Sequence, residues 1–364
     1  MAVEQGCSLF CEEAINFSAI GVQPEQGASL NCYNPPMRAI VVTRAGGPEV
    51  LHLSEVPPPE PQDGELLVHV NAVGLNFADL LGMRGNYAGG PKPPYVPGRE
   101  FAGIEAASGR AVMGYCEYGA LAEQIAAAAA RVWPAPPQFT TEEAAAFPVN
   151  FLTAFFAFWE AGLVEREPDH ELRFPGGRRP RVLIHAVAGG VGTAAVQIGR
   201  LLGIEMYGTA SSESKVQGVV ALGLDHGIVY TREDYQQRIR EETRGEGVDA
   251  VFEMRGGEET ARSIRCLGFL GRCILYGAAS GKPAQFDPRE LYSRSQSVWG
   301  LWISRLASRP EPMRKAIEYL LRGAAEGKLK PVIGRTLPLE QVAEGLTLLQ
   351  EGKNFGKVVV KVAG

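Results

Sequence analysis

The spacing of apolar residues changes near Thr141. From Met37 to about Trp133, short apolar runs alternate with turn-forming residues. Arg38–Arg44, Val50–Val56, Glu65–Val73 and Ala120–Ala126 suit extended structure, and Pro57-Pro58-Pro59 and Asp63-Gly64 interrupt them. A Gly/Pro-rich loop follows from Gly85 to Gly98. The stretch reads as an all-β, barrel-like unit. Beyond Thr141, Glu142–Glu160 is apolar and helical in character. After a connector over Phe174–Pro180, the pattern predicts a buried strand at Arg181–Ala186 and a helix at Gly192–Leu202. A strand at Ile204–Thr209 and a helix at Glu213–Leu222 come next. Further strands fall at His226–Tyr230, Ala250–Glu253, Arg272–Tyr276 and Ser297–Leu301. Strand–helix alternation at this spacing implies parallel strands joined by crossovers, an α/β arrangement. The last strand, Lys357–Val362, is expected to rejoin the first unit. Residues 1–36 read as a poorly structured extension.

The segment Ala186-Val187-Ala188-Gly189-Gly190-Val191-Gly192 joins a predicted strand to a predicted helix. Such a turn needs small residues to bring backbone close to a pyrophosphate, and the helix start offers unpaired N–H groups to it. Ala188, Gly189, Gly190, Val191 and Gly192 are therefore candidate cofactor ligands. The competing reading is a tight turn with no ligand. NAD-binding units usually carry an acid at the end of the second strand. Here that point reads Thr209-Ala210-Ser211-Ser212. The missing acid, the hydroxyls of Ser211 and Ser212, and Lys215 one turn later favour NADPH. An ammonium about 4 Å from one phosphate charge gains roughly 4 kcal/mol at an effective dielectric near 20, before desolvation.

Composition narrows the partners. The chain has 364 residues, 45% hydrophobic and 21% charged, with a net charge of −5. These values suit a soluble globular protein and give no charge-driven hold on nucleic acid. No run is long enough to span a bilayer. The first 36 residues contain no Lys or Arg, unlike a secretory signal or a mitochondrial presequence, so a cytoplasmic location is expected. Six scattered cysteines (Cys7, Cys11, Cys32, Cys116, Cys266, Cys273) lack zinc-site spacing and read as free thiols. His185 reads as a core histidine.

From about Met37 to Val362 the sequence resembles the medium-chain dehydrogenase/reductase superfamily. It is most similar to the zinc-independent, zeta-crystallin-like quinone oxidoreductases and related enoyl reductases. The resemblance rests on Gly74-Leu75-Asn76-Phe77-Ala78-Asp79, Pro97-Gly98-Arg99-Glu100-Phe101-Ala102-Gly103, Val149-Asn150-Phe151-Leu152-Thr153-Ala154, the glycine loop, and Gly356-Lys357-Val358-Val359. It implies a Rossmann-type cofactor domain over 154–305. It also implies a GroES-like β-barrel catalytic domain built from 37–153 and 306–364. By local matching, the catalytic zinc ligands of related alcohol dehydrogenases fall on Asn76, Arg99 and Val149, a set unsuited to zinc. The four-cysteine structural lobe has no counterpart, so no metal is expected.

The resemblance assigns Asn76, Asp79, Tyr87 and Thr153 to the catalytic cleft. Asn76 would orient substrate or nicotinamide ribose, Tyr87 would cap the cleft and donate a hydrogen bond or proton, and Thr153 would face the nicotinamide. The competing readings are helix caps for Asn76 and Asp79 and loop packing for Tyr87. A further family tyrosine is replaced here by Leu81. Tyr230 and Lys353 would approach the 2′-phosphate or adenine, and Tyr276, Gly277 and Ala278 the carboxamide. Glu100 matches a family acid that would pair with a nearby arginine. The expected activity is zinc-free reduction of a small-molecule quinone, enal or enone by NADPH, in a homodimer joined through the Ser297–Trp302 edge. An enoyl-thioester reductase with Arg178, Arg179 and Arg181 forming a basic groove, or a non-catalytic NADPH-binding protein, are the alternatives.

Overall fold

The computed structural model describes residues 35–85, 87, 89–165, 170–306 and 309–362; residues 1–34 of the expected extension, with Cys7, Cys11 and Cys32, lie outside them. Among the described residues, two large sheets and a two-stranded hairpin organise the fold. The first contains six parallel strands in the spatial order His226–Val229, Glu205–Ala210, Arg181–Ile184, Val248–Glu253, Leu267–Leu275, Ser297–Gly300. In chain order these are third, second, first, fourth, fifth and sixth, the Rossmann arrangement. The direction of winding reverses between Arg181–Ile184 and Val248–Glu253, which opens a crevice at their carboxyl ends. Helices cover both faces, so Val248–Glu253 is buried at every position.

The second sheet runs Ile333–Pro338, Lys357–Lys361, Glu65–Gly74, Glu100–Glu105, Ala111–Tyr115, Val132–Pro134, and Gln124–Ala128 also pairs with Glu65–Gly74. Its ladders are antiparallel except between Ile333–Pro338 and Lys357–Lys361. A hairpin of Met37–Val42 and Leu51–Val56 is fastened to this unit through Ile40 N–H to Leu121 O and Val42 N–H to Tyr95 O, both 2.8 Å. The carboxyl-terminal strand thus rejoins the amino-terminal unit.

The helix expected over Glu142–Glu160 is two helices. Thr140 and Glu143 form a capping box at the start of Thr141–Ala145. Pro148 has no N–H and opens a second helix, Pro148–Glu160. That helix buries Phe151, Phe155, Phe156 and Phe158. Phe158 meets Phe252 of the parallel sheet edge-on at 4.8 Å, and Phe155 meets Tyr319 of the helix Pro310–Ala325 at 5.3 Å. The helix Pro148–Glu160 therefore starts beneath one unit and packs on the other, and its first turns line the cleft between them.

Candidate active site

The glycine loop leaves the central parallel strand at the crevice. Ala186, standing where a glycine is usual, turns with φ +49°. Gly189 N–H closes on Ala186 O at 2.9 Å, and Val187 N–H bonds Thr209 O at 3.1 Å. Gly189 then caps the helix Gly190–Leu201 without any side-chain cap. Gly189 bridges in parallel to Gly356, whose N–H bonds Ala188 O at 2.7 Å, and this turns the Gly190 N–H towards Gly356; among the described residues no acceptor meets the N–H groups of Val191 or Gly192. A Cβ on Gly192 would stand 2.3 Å from Val187 O, so this glycine is fixed by the close return of the backbone. On Gly189 a Cβ would meet only Ala186 O, at 3.2 Å. The result is an open fork of donors at a helix start, facing a cleft of about 1190 Å³. This cradle fits a pyrophosphate.

Several predicted cofactor residues share the wall of that cleft: Ala188, Gly189, Gly190, Val191, Gly192, Ser211, Lys215, Tyr230, Tyr276, Gly277 and Ala278. Lys215 Nζ donates to Gly352 O at 2.5 Å, and burial lowers its pKa. Arg255, which sequence reasoning missed, also lines the cleft and lies 5.1 Å from the centre of the Tyr230 ring. Two cations thus flank an acid-free strand end. Ser212 and Lys353 are not in the lining. Ser212 Oγ shares a hydrogen bond with Ser214 Oγ, and Lys353 pairs with Glu351 at 2.8 Å. Gly352 and Asn354, its neighbours, turn inward in its place.

The opposite wall carries Asn76, Tyr87, Arg99, Val149 and Thr153, with Leu81, Trp302 and Cys116. Asn76 caps the short helix Phe77–Met83, and Asp79 Oδ2 accepts the Asn76 N–H at 2.9 Å to complete a capping box. The cap reading of both residues is therefore realised, and Asp79 sits under the wall. Burial raises the Asp79 pKa against the pull of Arg99, whose Nε lies 3.5 Å from Oδ1. Both Asn76 amide hydrogens are engaged, with Gly74 O at 3.1 Å and Glu100 Oε1 at 3.0 Å. Its Oδ1 accepts from Lys357 Nζ at 2.7 Å. Glu100 does not pair with an arginine as expected. Its Oε1 meets Lys357 Nζ at 2.5 Å, and Oε2 accepts the Val149 N–H at 2.8 Å, capping the helix that carries Thr153. Thr153 Oγ1 donates to Val149 O at 2.6 Å. The Tyr87 ring is clamped between the Arg99 guanidinium, 4.0 Å from its centre, and Trp302, edge-on at 5.6 Å. Burial raises the Tyr87 pKa, so the phenol stays protonated at neutral pH.

Asn76, Arg99 and Val149 do come together in the cleft, but their chemistry does not fit zinc. The Asn76 amide is committed to Glu100 and Lys357, Arg99 is itself a cation, and Val149 offers no donor. The basic groove expected of a thioester site does not form. Arg178 pairs with Asp249 at 2.6 Å, Arg179 with Asp225 at 3.4 Å, and Arg181 with Glu205 and Glu246 at 3.2 and 2.7 Å. His185 is a satisfied core residue, with Nδ1 3.0 Å from Thr209 Oγ1 and Nε2 2.9 Å from Ser263 Oγ.

The chain is similar to known proteins. Residues 62–137 match a family model described as an alcohol dehydrogenase GroES-like domain, and residues 190–322 one described as a zinc-binding dehydrogenase. The synaptic vesicle membrane protein VAT-1 homolog of Rattus norvegicus is 32% identical over 354 residues, covering 90% of this chain and 84% of that protein. The quinone oxidoreductase of Lama guanicoe is 31% identical over 337 residues, covering 89% and 97%. A solved quinone oxidoreductase from Thermus thermophilus, also studied in complex with NADPH, superposes with a TM-score of 0.76 at 34% identity, covering 90% of this chain and all 100% of that one.

Proposed function

The chain belongs to the medium-chain dehydrogenase/reductase superfamily, in its zeta-crystallin-like quinone oxidoreductase group, and on that premise we propose that it is an NADPH-dependent reductase of quinones or α,β-unsaturated carbonyls that works without zinc. The observation that carries this reading is the cleft itself. One wall offers the open N–H groups of Val191 and Gly192 at the helix start with Lys215 at an acid-free strand end, and the facing wall offers Asn76, Tyr87 and Thr153 among apolar side chains.

When bound, NADPH supplies a hydride. The chain's own residues bind, orient and exclude water. The fork holds the pyrophosphate, and Ser211, Lys215, Tyr230 and Arg255 surround the 2′-phosphate. Tyr276, Gly277 and Ala278 end a strand where backbone groups meet the carboxamide. Leu81, Val149 and Trp302 give the acceptor a flat apolar seat, and Tyr87, kept protonated by its burial, donates a hydrogen bond to it. A hydride acceptor of this kind disperses charge onto oxygen and needs donors there rather than a metal.

The same reading includes a homodimer. The strand Ser297–Gly300 is an open edge of the parallel sheet and bears Trp299, 43% exposed, a surface suited to pairing with a second copy. The test of the activity is NADPH oxidation in the presence of quinones, enals, enones and crotonyl thioesters in turn. Turnover with quinones or enones and little with the thioester is expected; a preference for the thioester, or none for any acceptor, contradicts the proposal.

A further inference from the structure

Arg99 is buried to 8% exposure, yet none of its five N–H groups makes a hydrogen bond among the described residues, and its Nε is fully enclosed without a partner. Only charge and stacking hold it. Asp79 Oδ1 lies 3.5 Å from Nε, Glu117 Oε2 lies 3.9 Å from the nearer terminal nitrogen, and the guanidinium carbon rests 4.0 Å from the Tyr87 ring centre. The second Asp79 oxygen is committed to the Asn76 N–H. Glu117 is drawn towards Arg131 at 3.2 Å. The enclosed Nε faces only Asp79, while the terminal nitrogens are not enclosed and stand available to a ligand in the cleft. The guanidinium lines the cleft beside Tyr87, Cys116 and Val149, on the wall facing the glycine loop.

We infer that Arg99 binds the carbonyl oxygen of the acceptor and holds the negative charge that collects there on reduction. This rests on the reading of the cleft as a reductase site. The charge of Arg99 is already balanced at rest by Asp79. The occupant arrives as a neutral carbonyl and becomes anionic only as it reacts, a charged state that a flat conjugated oxyanion mimics. In that step the conjugated acceptor gains a hydride at its β-carbon as the reduced nicotinamide is oxidised. The C=C electron pair moves to place charge on oxygen, and the enolate then takes a proton from water. A planar fork fixed by stacking presents parallel N–H groups to that oxygen, which an ammonium does not.

The probe is 4-nitrophenolate, a flat conjugated oxyanion whose visible absorbance reports binding to the full chain. The wild type should bind it roughly tenfold or more tightly than Arg99→Met, as expected for a charge-assisted hydrogen bond. Nitrobenzene, which lacks the oxyanion, should bind both equally. Removing Arg99 alone strands the Asp79 carboxyl, so Arg99→Met/Asp79→Asn is tested beside it and should show the same loss. No binding to the wild type, or equal phenolate affinity in the wild type and the double variant, would overturn the assignment. NADPH affinity is followed in parallel by quenching of intrinsic fluorescence. A wild type that fails to bind NADPH defeats the reductase reading. Unchanged NADPH binding with unchanged phenolate binding defeats the Arg99 role alone.

Discussion

Lys357 Nζ lies 2.5 Å from Glu100 Oε1, with both side chains buried, and this contact ties the last strand of the chain to the wall of the cleft. Through Asn76 Oδ1 and the Val149 N–H, the same pair fixes two residues of that wall. Removing one partner of a buried pair leaves an uncompensated charge. Lys357→Met should cost about 3–5 kcal/mol in denaturant unfolding. Lys357→Met/Glu100→Gln should recover part of that loss. A single variant as stable as the wild type would show that the pair is not coupled to the fold.

His185 gives the stability a defined acid limb. Burial pushes its pKa down to about 3, while an unfolded histidine titrates near 6.5. The folded state therefore keeps His185 neutral, and the unfolded state binds the extra proton first. Stability from this residue is complete above about pH 6.5 and is lost as pH falls towards 3, with a slope of about 1.4 kcal/mol per pH unit. In His185→Gln, which retains hydrogen-bonding groups for Thr209 and Ser263, the unfolding free energy between pH 6 and 4 should fall less steeply by about that slope. Identical pH profiles for the two proteins would contradict the assignment.

Much of this was legible because it is local. The glycine loop, its flanking strand and helix, and the missing acid after Thr209 all lie within one short stretch. The strands Glu100–Glu105 and Ala111–Tyr115 carry no such signal, since they are buried at most positions and show no polar alternation. The break at Pro148 is masked in the sequence because the apolar run continues through it. Lys357 reaches Asn76 across 281 residues, a meeting that no spacing encodes. Arg99 could be placed at the cleft by its motif, but its bare N–H groups depend on where Asp79 and Glu117 stop short.

The two ends of the glycine loop should respond differently to the same substitution. Gly189→Ala adds a methyl that meets only Ala186 O at 3.2 Å and otherwise stands in the cleft. Its thermal midpoint should match the wild type while NADPH affinity falls roughly tenfold or more. Gly192→Ala drives a methyl to 2.3 Å from Val187 O and should lose about 2 kcal/mol or more of stability. Calorimetry with fluorescence titration separates the two, and equal NADPH affinity in Gly189→Ala and the wild type would contradict the cradle.

Ala186 holds φ at +49°, a region that glycine enters without steric cost. Ala186→Gly should raise stability by roughly 1 kcal/mol with NADPH affinity kept, whereas Ala186→Val should lower stability, since a β-branched side chain resists this turn. Denaturant midpoints give the order directly. A Gly variant less stable than the wild type would show that the turn carries no strain.

Cofactor choice turns on whether the pocket beside Lys215 receives the extra phosphate. The deciding measurement is the dissociation constant for NADPH and for NADH, by fluorescence titration, in the wild type and in Lys215→Glu. The wild type should prefer NADPH by about tenfold or more, and Lys215→Glu should lose most of that preference with little change towards NADH. No measurable affinity for NADPH, a wild-type preference for NADH, or equal losses for both dinucleotides would contradict it.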